Sequence, residues 1–205
     1  KSEKKTKRIL HEPTQSDIKI LNSAEGRKKY TEKEVKFEIN KTKTINLGDI
    51  CFATYGLRPN SNKDDPKPRF RKSDLLSNIK TKLCNRIYTE GKFIDRYRIN
   101  KELFLEWNSE RCPSRCTRTT YPELYEPNKL LMARQKRIVA FSDKKHIFDT
   151  TIVAGVRFCD MAGVDNSHIR KYFVNIQGDR KELEKISMEF DLKYLLGILN
   201  SKLIK

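Results

Sequence analysis

The chain has 205 residues, and its 44 lysines and arginines outnumber 27 acidic residues, which gives a formal net charge of +17. A surplus of this size favours polyanionic partners: nucleic acid is the main expectation, an anionic membrane is the rival, and a soluble protein with scattered lysines is the plain alternative. No run approaches the roughly 20 apolar residues of a bilayer span, and residues 1–8 are not followed by the apolar stretch of a secretory signal, so we expect a cytoplasmic protein with no membrane partner.

Residues 1–46 are polar and rich in lysine, and we interpret them as a basic extension or connector with little core of its own. Within them, Val35, Phe37 and Ile39 alternate with polar residues and predict one short strand. Residues 47–205 are predicted to form one domain. The chain opens without Met and ends inside a predicted helix, so we expect it to be a fragment of a larger enzyme.

The first predicted elements of this domain are a strand, a loop and a helix. Apolar residues are dense from Leu47 to Tyr55, which predicts a strand that ends at Gly56. Three prolines lie in residues 57–70 and predict an irregular loop, because proline removes a backbone donor and fixes φ. Residues 73–83 then predict a short helix with a serine at its N-cap.

The middle of the chain predicts strands. Residues 86–88 and 93–99 predict two strands on either side of a turn at residues 90–91, followed by a polar, proline-bearing loop over residues 108–127.

A hairpin is predicted next, from strands over residues 129–141 and 147–158 joined by a polar turn at residues 142–145. Residues 173–176 predict a shorter strand. Leucines at helical spacing predict a final helix, and they are Leu192, Leu195, Leu196, Leu199 and Leu203. Together these elements predict an α+β fold with a curved, mainly antiparallel sheet flanked by helices.

Catalytic and metal sites find little support in the sequence. Residues 64–67 (DDPK) and 34–38 place acidic residues beside a lysine, as a metal-dependent nuclease does, but adjacent acids on such a segment are usually a solvated turn. Cys112 and Cys116 have a spacing that zinc uses, yet no second Cys/His pair completes four ligands. We therefore expect no metal, and five scattered free thiols indicate a reducing compartment.

Nucleophilic catalysis also lacks a visible basis, because the three histidines (His11, His146 and His168) are too scattered to form a Ser/His/Asp or Cys/His grouping. No catalytic residue is predicted.

The basic loops are the informative feature, although a solvated loop is the alternative for each residue taken singly. Arginine can contact guanine, asparagine can contact adenine, and lysine can contact phosphate. The predicted DNA-binding residues are Arg58, Asn60, Asn62, Lys63, Arg69, Lys92, Arg96, Arg111, Arg115, Arg118, Arg134 and Lys136. Because residues 134–137 are predicted to lie on both faces of one strand, at most half of them should face DNA.

Four segments in a fixed order also carry a family resemblance. Residues 47–56 contain LGDI before a glycine, residues 91–97 have the sequence GKFIDRY, residues 125–138 contain PNKLL followed by KRI, and residues 190–205 contain LLGILNSK. In this order they resemble the specificity domain of TaqI-like adenine-specific DNA methyltransferases, which recurs in fused type II restriction–modification enzymes.

The resemblance implies a target-recognition domain that binds double-stranded DNA in a sequence-specific way and positions the methyltransferase domain of the same chain, with a nuclease domain possible in the parent. The parent enzyme would use S-adenosylmethionine. This chain contains neither G-x-G nor Pro-Pro, so we expect no cofactor and no catalysis in this fragment. The alternatives are a standalone divalent-metal-dependent nuclease and an RNA-binding module.

Overall fold

A computed structural model of the protein describes residues 45–175 and 179–201, so the strand predicted around residues 35–39 lies outside the described residues. The helices are α1 (Leu47–Ile50), α2 (Ser167–Asn175), α3 (Arg180–Met188) and α4 (Leu192–Asn200). The strands are β1 (Cys51–Tyr55), β2 (Arg58–Ser61), β3 (Leu76–Ser77), β4 (Cys84–Thr89), β5 (Leu103–Glu106), β6 (Cys116–Arg118), β7 (Lys129–Ala133), β8 (Ile138–Ser142), β9 (Ile147–Phe148) and β10 (Ile152–Arg157).

The described residues form an α+β structure whose strand pairs are antiparallel except for one, which confirms the predicted class. The central sheet has the order β1-β10-β7-β8. A second sheet has the order β3-β5-β4-β9, in which β4 and β9 are parallel, and β2 pairs with β6 in a separate two-stranded ribbon. Within the described residues, no helix is long and apolar enough to cross a bilayer.

Both faces of the central sheet are buried over most of their area. β10 alternates between buried and half-buried residues, as the pleat of a strand requires. Phe52, Leu131 and Ile152 face the larger core, whereas Leu130 and Val139 face the leucines of α4. The helix therefore covers the second face of the sheet but leaves the end near Tyr55 open, where that residue is 37% exposed.

The predicted hairpin had the wrong turn and the wrong strands, and residues 147–158 form two strands, β9 and β10, in different sheets. Residues 129–141 are not one strand, because β7 and β8 are joined by a turn at residues 134–137. Arg137 closes this turn at a φ of 52°, and its N–H bonds to the Ala133 carbonyl at 2.9 Å. The turn has no glycine, asparagine or aspartate, the usual sequence signal for a left-handed residue, and therefore its sequence was mistaken for a polar stretch of strand.

Two predicted loops contain a paired ribbon. β2 lies in residues 57–70 and β6 lies in residues 108–127, and they pair with each other, so the prediction of wholly irregular loops was wrong. Pro59 is tolerated because the register is irregular between Arg58 and Ser61, which is where a strand can lack a backbone donor.

Other local predictions were also wrong. Residues 47–50 form a helical turn and not strand, since the Asp49 carboxylate accepts the Asn46 N–H at 3.0 Å. The predicted helix over residues 73–83 is a single 3₁₀ turn (Lys72–Leu75) followed by β3. In both places an aspartate carboxylate accepts a backbone N–H at the start of the segment and closes a short turn. The first bond is Asn46 N–H to Asp49, and the second is Arg71 N–H to Asp74.

The strands predicted at residues 93–99 and 173–176 do not form. The first is a 3₁₀ turn (Gly91–Phe93) followed by a bend in which Tyr97 has a φ of 71°. The second belongs to α2 as far as Asn175, because Ile169, Tyr172 and Phe173 lie at helical spacing and pack on the core. By contrast, the strand at residues 86–88 is confirmed, and the final helix is confirmed over Leu192–Asn200, while Leu203 lies outside the described residues.

Candidate nucleic-acid interface

Two arginines lie over one aromatic ring at the open end of the central sheet, and a third arginine pairs with one of them across a strand pair. Tyr55 is the last residue of β1, and its ring centroid lies 5.8 Å from the Arg118 guanidinium carbon and 5.3 Å from that of Arg134. Arg58 lies directly opposite Arg118 across the β2–β6 ribbon. The ring therefore lies close to one arginine of the ribbon and one arginine of the β7–β8 turn.

The pairing of two arginines across the ribbon is unfavourable by itself, because like charges directly opposite each other destabilise a strand pair. Stacking of an arginine on a tyrosine stabilises the structure by only about 0.5–1 kcal/mol at an exposed site. An anion placed between Arg58, Arg118 and Arg134 would relieve the repulsion. The arrangement thus favours a negatively charged partner at this surface.

The β7–β8 turn presents further cations on a fixed backbone. The Arg134 N–H donates to the Thr151 carbonyl at 3.0 Å, and the Lys136 ammonium donates to the Lys92 carbonyl at 3.2 Å. All four side chains of the turn are exposed. The backbone N–H bonds of Arg134 and Arg137 hold the turn, so its backbone needs little reorganisation to meet a ligand.

A groove of about 700 Å³ runs along one side of the turn. Its floor includes Met132 and Val153, and its cationic lining residues are Arg96, Arg134, Lys136 and Arg137. We call Arg58, Arg96, Arg118, Arg134, Lys136 and Arg137 the basic surface. None of these six forms an ion pair with an acidic residue of the described segments 45–175 and 179–201.

The end of α4 is held to the central sheet beside this groove. Asn200 is buried, its amide oxygen accepts the Val139 N–H at 3.1 Å, and its amide nitrogen donates to the Val139 carbonyl at 2.8 Å. The two bonds tie the last turn of α4 to Val139, which is the second residue of β8. The asparagine of the LLGILNSK segment therefore holds the helix end against the strand that follows the basic turn.

A buried ion-pair network supports the opposite side of the turn. Lys72 Nζ lies 2.9 Å from Glu90 Oε1 and 3.0 Å from Asp149 Oδ2, and both carboxylates are buried. Burial alone would lower the pKa of Lys72, but the bonds to the two carboxylates outweigh it and raise the pKa. Lys92 adds a second cation 2.6 Å from Glu90. The network borders a cavity of about 310 Å³ that Gln135 and Lys136 also line.

Gly91 explains the glycine of the GKFIDRY segment. Its N–H donates to Thr151 Oγ1 at 2.8 Å, and a Cβ at this position would lie 2.7 Å from the Thr151 carbonyl oxygen. Only glycine allows so close an approach. The contact places Lys92 beside the β7–β8 turn, because that same carbonyl binds the Arg134 N–H.

Several predicted DNA-binding residues bond to the protein itself. Arg115 donates to Asp65 at 2.7 Å and to the Pro68 carbonyl at 3.0 Å, and its bond is the largest influence that lowers the pKa of Asp65. Arg111 binds the buried Glu106, whose pKa burial would raise but the arginine lowers. Arg115 therefore connects the two loops that carry β2 and β6, whereas Arg111 ties the second loop to the end of β5.

Asn60, Asn62, Lys63 and Arg69 belong to the first of these loops. The Asn60 amide oxygen accepts the Lys72 N–H at 2.8 Å, and Arg69 donates to the Lys63 carbonyl at 2.8 Å. Asn62, Lys63 and Arg69 are exposed. Of the twelve predicted residues, the structure brings together Arg58, Arg96, Arg118, Arg134 and Lys136, with Lys92 at the edge.

Sequence reasoning missed Tyr55 and left Arg137 and Gln135 out of the predicted binding residues. Tyr55 has the pattern of a strand residue before a glycine. Only the fold shows that Arg118 and Arg134, which are distant in sequence, lie beside its ring. Residues 134–137 were predicted to lie on two faces of a strand, whereas the turn exposes all four. Four polar residues between two apolar runs were the signal that could have indicated the turn.

The structure also joins a serine, a histidine and a glutamate that the sequence leaves apart. Ser142 Oγ lies 2.8 Å from His146 Nδ1, and His146 Nε2 lies 2.9 Å from Glu102 Oε1. Ser142 is fully buried and its hydroxyl donates to the Lys144 carbonyl at 3.1 Å. Burial lowers the pKa of His146. The group is positioned to hold the segment after β8 and offers no exposed nucleophile.

Metal ligands are equally sparse in the described part of the chain. Cys112 Sγ and Cys116 Sγ lie 3.6 Å apart in the core, but no group of three or more His, Cys, Asp or Glu residues within residues 45–175 and 179–201 is arranged to hold a metal ion. Asp65 of the DDPK segment is bound to Arg115, and Lys67 of the same segment is bound to Glu110.

The basic surface is accordingly the candidate site of this chain. No protein-family model and no curated protein matches the chain.

Proposed function

We propose that this chain binds duplex DNA through the basic surface and acts as the target-recognition domain of a restriction–modification adenine methyltransferase. The observation that carries the proposal is the approach of Arg118 and Arg134 to the Tyr55 ring, with Arg58 opposite Arg118 across a strand pair. Such a site gains most from a regular array of negative charges. The phosphates of duplex DNA form such an array. Each phosphate that a cation neutralises releases a condensed counterion, which favours binding.

The shape of the elements supports a duplex as the partner. The major groove of B-DNA, about 12 Å wide, admits a two-stranded β-ribbon, and the basic surface combines a ribbon (β2–β6) with a hairpin turn (β7–β8). Arg96 and Lys136, which line the groove of the protein itself, suit phosphate contacts. Base contacts are then left to side chains at the exposed tips.

The division of labour follows from the family resemblance. In the proposed parent enzyme, the methyltransferase domain binds S-adenosylmethionine and takes the target adenine out of the stack. The residues of this chain bind the duplex and set the position of that domain on the site.

Two buried carboxylates near the basic surface are already paired with cations of the chain. Lys72 binds Glu90 and Asp149, and Lys92 also binds Glu90, so side chains of the chain balance both negative charges.

Selection from a pool of random duplexes tests the proposal. Bound duplexes are recovered with the purified 205-residue chain, amplified and sequenced over several rounds, and we expect one short sequence to be enriched. A parallel incubation of the selected duplex with Mg²⁺ and with S-adenosylmethionine is expected to give neither cleavage nor methylation. Binding without any base preference would contradict recognition, and cleavage by the pure chain would favour a nuclease.

A further inference from the structure

The β7–β8 turn carries one neutral residue among three cations. Arg134, Lys136 and Arg137 are basic, and Gln135 is exposed between the first two. We infer that Gln135 is the residue of the turn that contacts a base, and that the base is adenine. The inference rests on the proposed function and specifies what part of the DNA this turn recognises.

The position of Gln135 is set by bonds on both sides of it. The Arg134 N–H is held by the Thr151 carbonyl, the Lys136 ammonium by the Lys92 carbonyl, and the Arg137 N–H by the Ala133 carbonyl. A base contact requires a side chain whose origin is fixed to a fraction of an ångström. The Gln135 backbone meets this requirement, because the Arg134 and Arg137 N–H bonds define the backbone of the turn before any ligand arrives.

The chemistry of the amide fits a base better than a phosphate. A glutamine side chain has one acceptor and one donor group that pair with N6 and N7 of adenine in the major groove. The flanking cations suit the phosphates on either strand, which fix the register of a protein on the duplex but carry no sequence information. A neutral bidentate residue between cations is therefore the arrangement expected of a base-contacting tip.

Asn60, another amide among the predicted DNA-binding residues, is less suitable for an adenine contact. Its amide oxygen already accepts the Lys72 backbone N–H, and this bond would have to break before the oxygen could meet a base. Gln135 needs only to displace solvent, since its side chain lies at the edge of the open cavity beside Lys92.

The test repeats the duplex selection with Gln135→Ala and compares base preferences position by position with those of the wild-type chain. We expect one adenine position to lose its preference, with a loss of discrimination on the order of 10-fold, while the remaining positions keep theirs. The matched control is Asn175→Ala, which removes an exposed amide from α2 and should leave every position unchanged. Equal thermal unfolding of the three proteins establishes that the turn variant is folded.

Two results would overturn the inference while leaving the proposed function intact. One is an unchanged preference at every position in the Gln135→Ala chain, and the other is a loss confined to a guanine or pyrimidine position. A wild-type chain that selects no sequence at all would instead overturn the proposed function, and the inference with it.

Discussion

Removing the three cations of the β7–β8 turn is expected to lower the affinity for duplex DNA on the order of 100-fold at low salt. The variant is Arg134→Ala, Lys136→Ala and Arg137→Asn, and asparagine is chosen because it tolerates the positive φ of Arg137. If each cation neutralises one phosphate, the slope of log Kobs against log salt should fall in magnitude by about 3. Fluorescence anisotropy of a labelled duplex at several salt concentrations measures both quantities.

A charge-matched control separates this surface from the general charge of the chain. Lys171, Lys181 and Lys185 are exposed on α2 and α3, and their replacement by alanine removes the same three charges. We expect this control to retain most of the affinity and nearly all of the salt slope. If the two triple variants bind equally weakly, the net charge and not the basic surface governs binding.

The largest effect on stability is expected from Lys129→Met. Lys129 is fully buried in β7, and its ammonium donates to the carbonyls of Tyr125 at 2.9 Å, Glu126 at 2.5 Å and Lys144 at 3.0 Å. Methionine has a similar length but no donor, so three carbonyls would lose their partner. Each buried unsatisfied group costs about 1–3 kcal/mol, and we expect the free energy of unfolding to fall by about 3 kcal/mol in urea denaturation.

The same lysine predicts a pH dependence. Burial lowers the pKa of Lys129 from 10.5 to about 7, so between these values the unfolded chain binds more protons than the folded chain. The free energy of unfolding should therefore rise from pH 7 to pH 8.5, with at most about 1.4 kcal/mol per pH unit from one proton.

The Lys129→Met variant should lack this rise, whereas the exposed neighbour variant Lys145→Met should retain it. Parallel pH profiles for the Lys129→Met and wild-type chains would show that Lys129 is not the source of the dependence.

Local periodicity was enough to predict some elements but not the site. The leucines of α4 and the apolar residues of β4 carry their own pattern, and the structure confirms both. The β2–β6 ribbon joins two segments that are remote in the sequence and contain prolines, so neither strand has a local signal. The turn at residues 134–137 depends on a left-handed arginine, which no propensity indicates.

The candidate site was only partly predictable for the same reason. Charge and loop composition predicted Arg58, Arg118 and Arg134, because arginines in a basic chain are expected to meet an anion. The sequence does not show that Arg111 and Arg115 have acidic partners, since Glu106 and Asp65 are brought to them by the fold. Tyr55 likewise acquires its place beside two arginines only when β1, β6 and the β7–β8 turn meet.

The most direct test of the central claim is a titration of one labelled duplex and one single-stranded RNA of equal length with the whole chain, at salt concentrations from about 50 mM to about 200 mM. The proposed interface predicts tighter binding to the duplex, with an affinity that falls on the order of 100-fold over this range because several phosphates are neutralised. Tighter binding to the RNA, or no binding to the duplex at the lowest salt, would contradict the account.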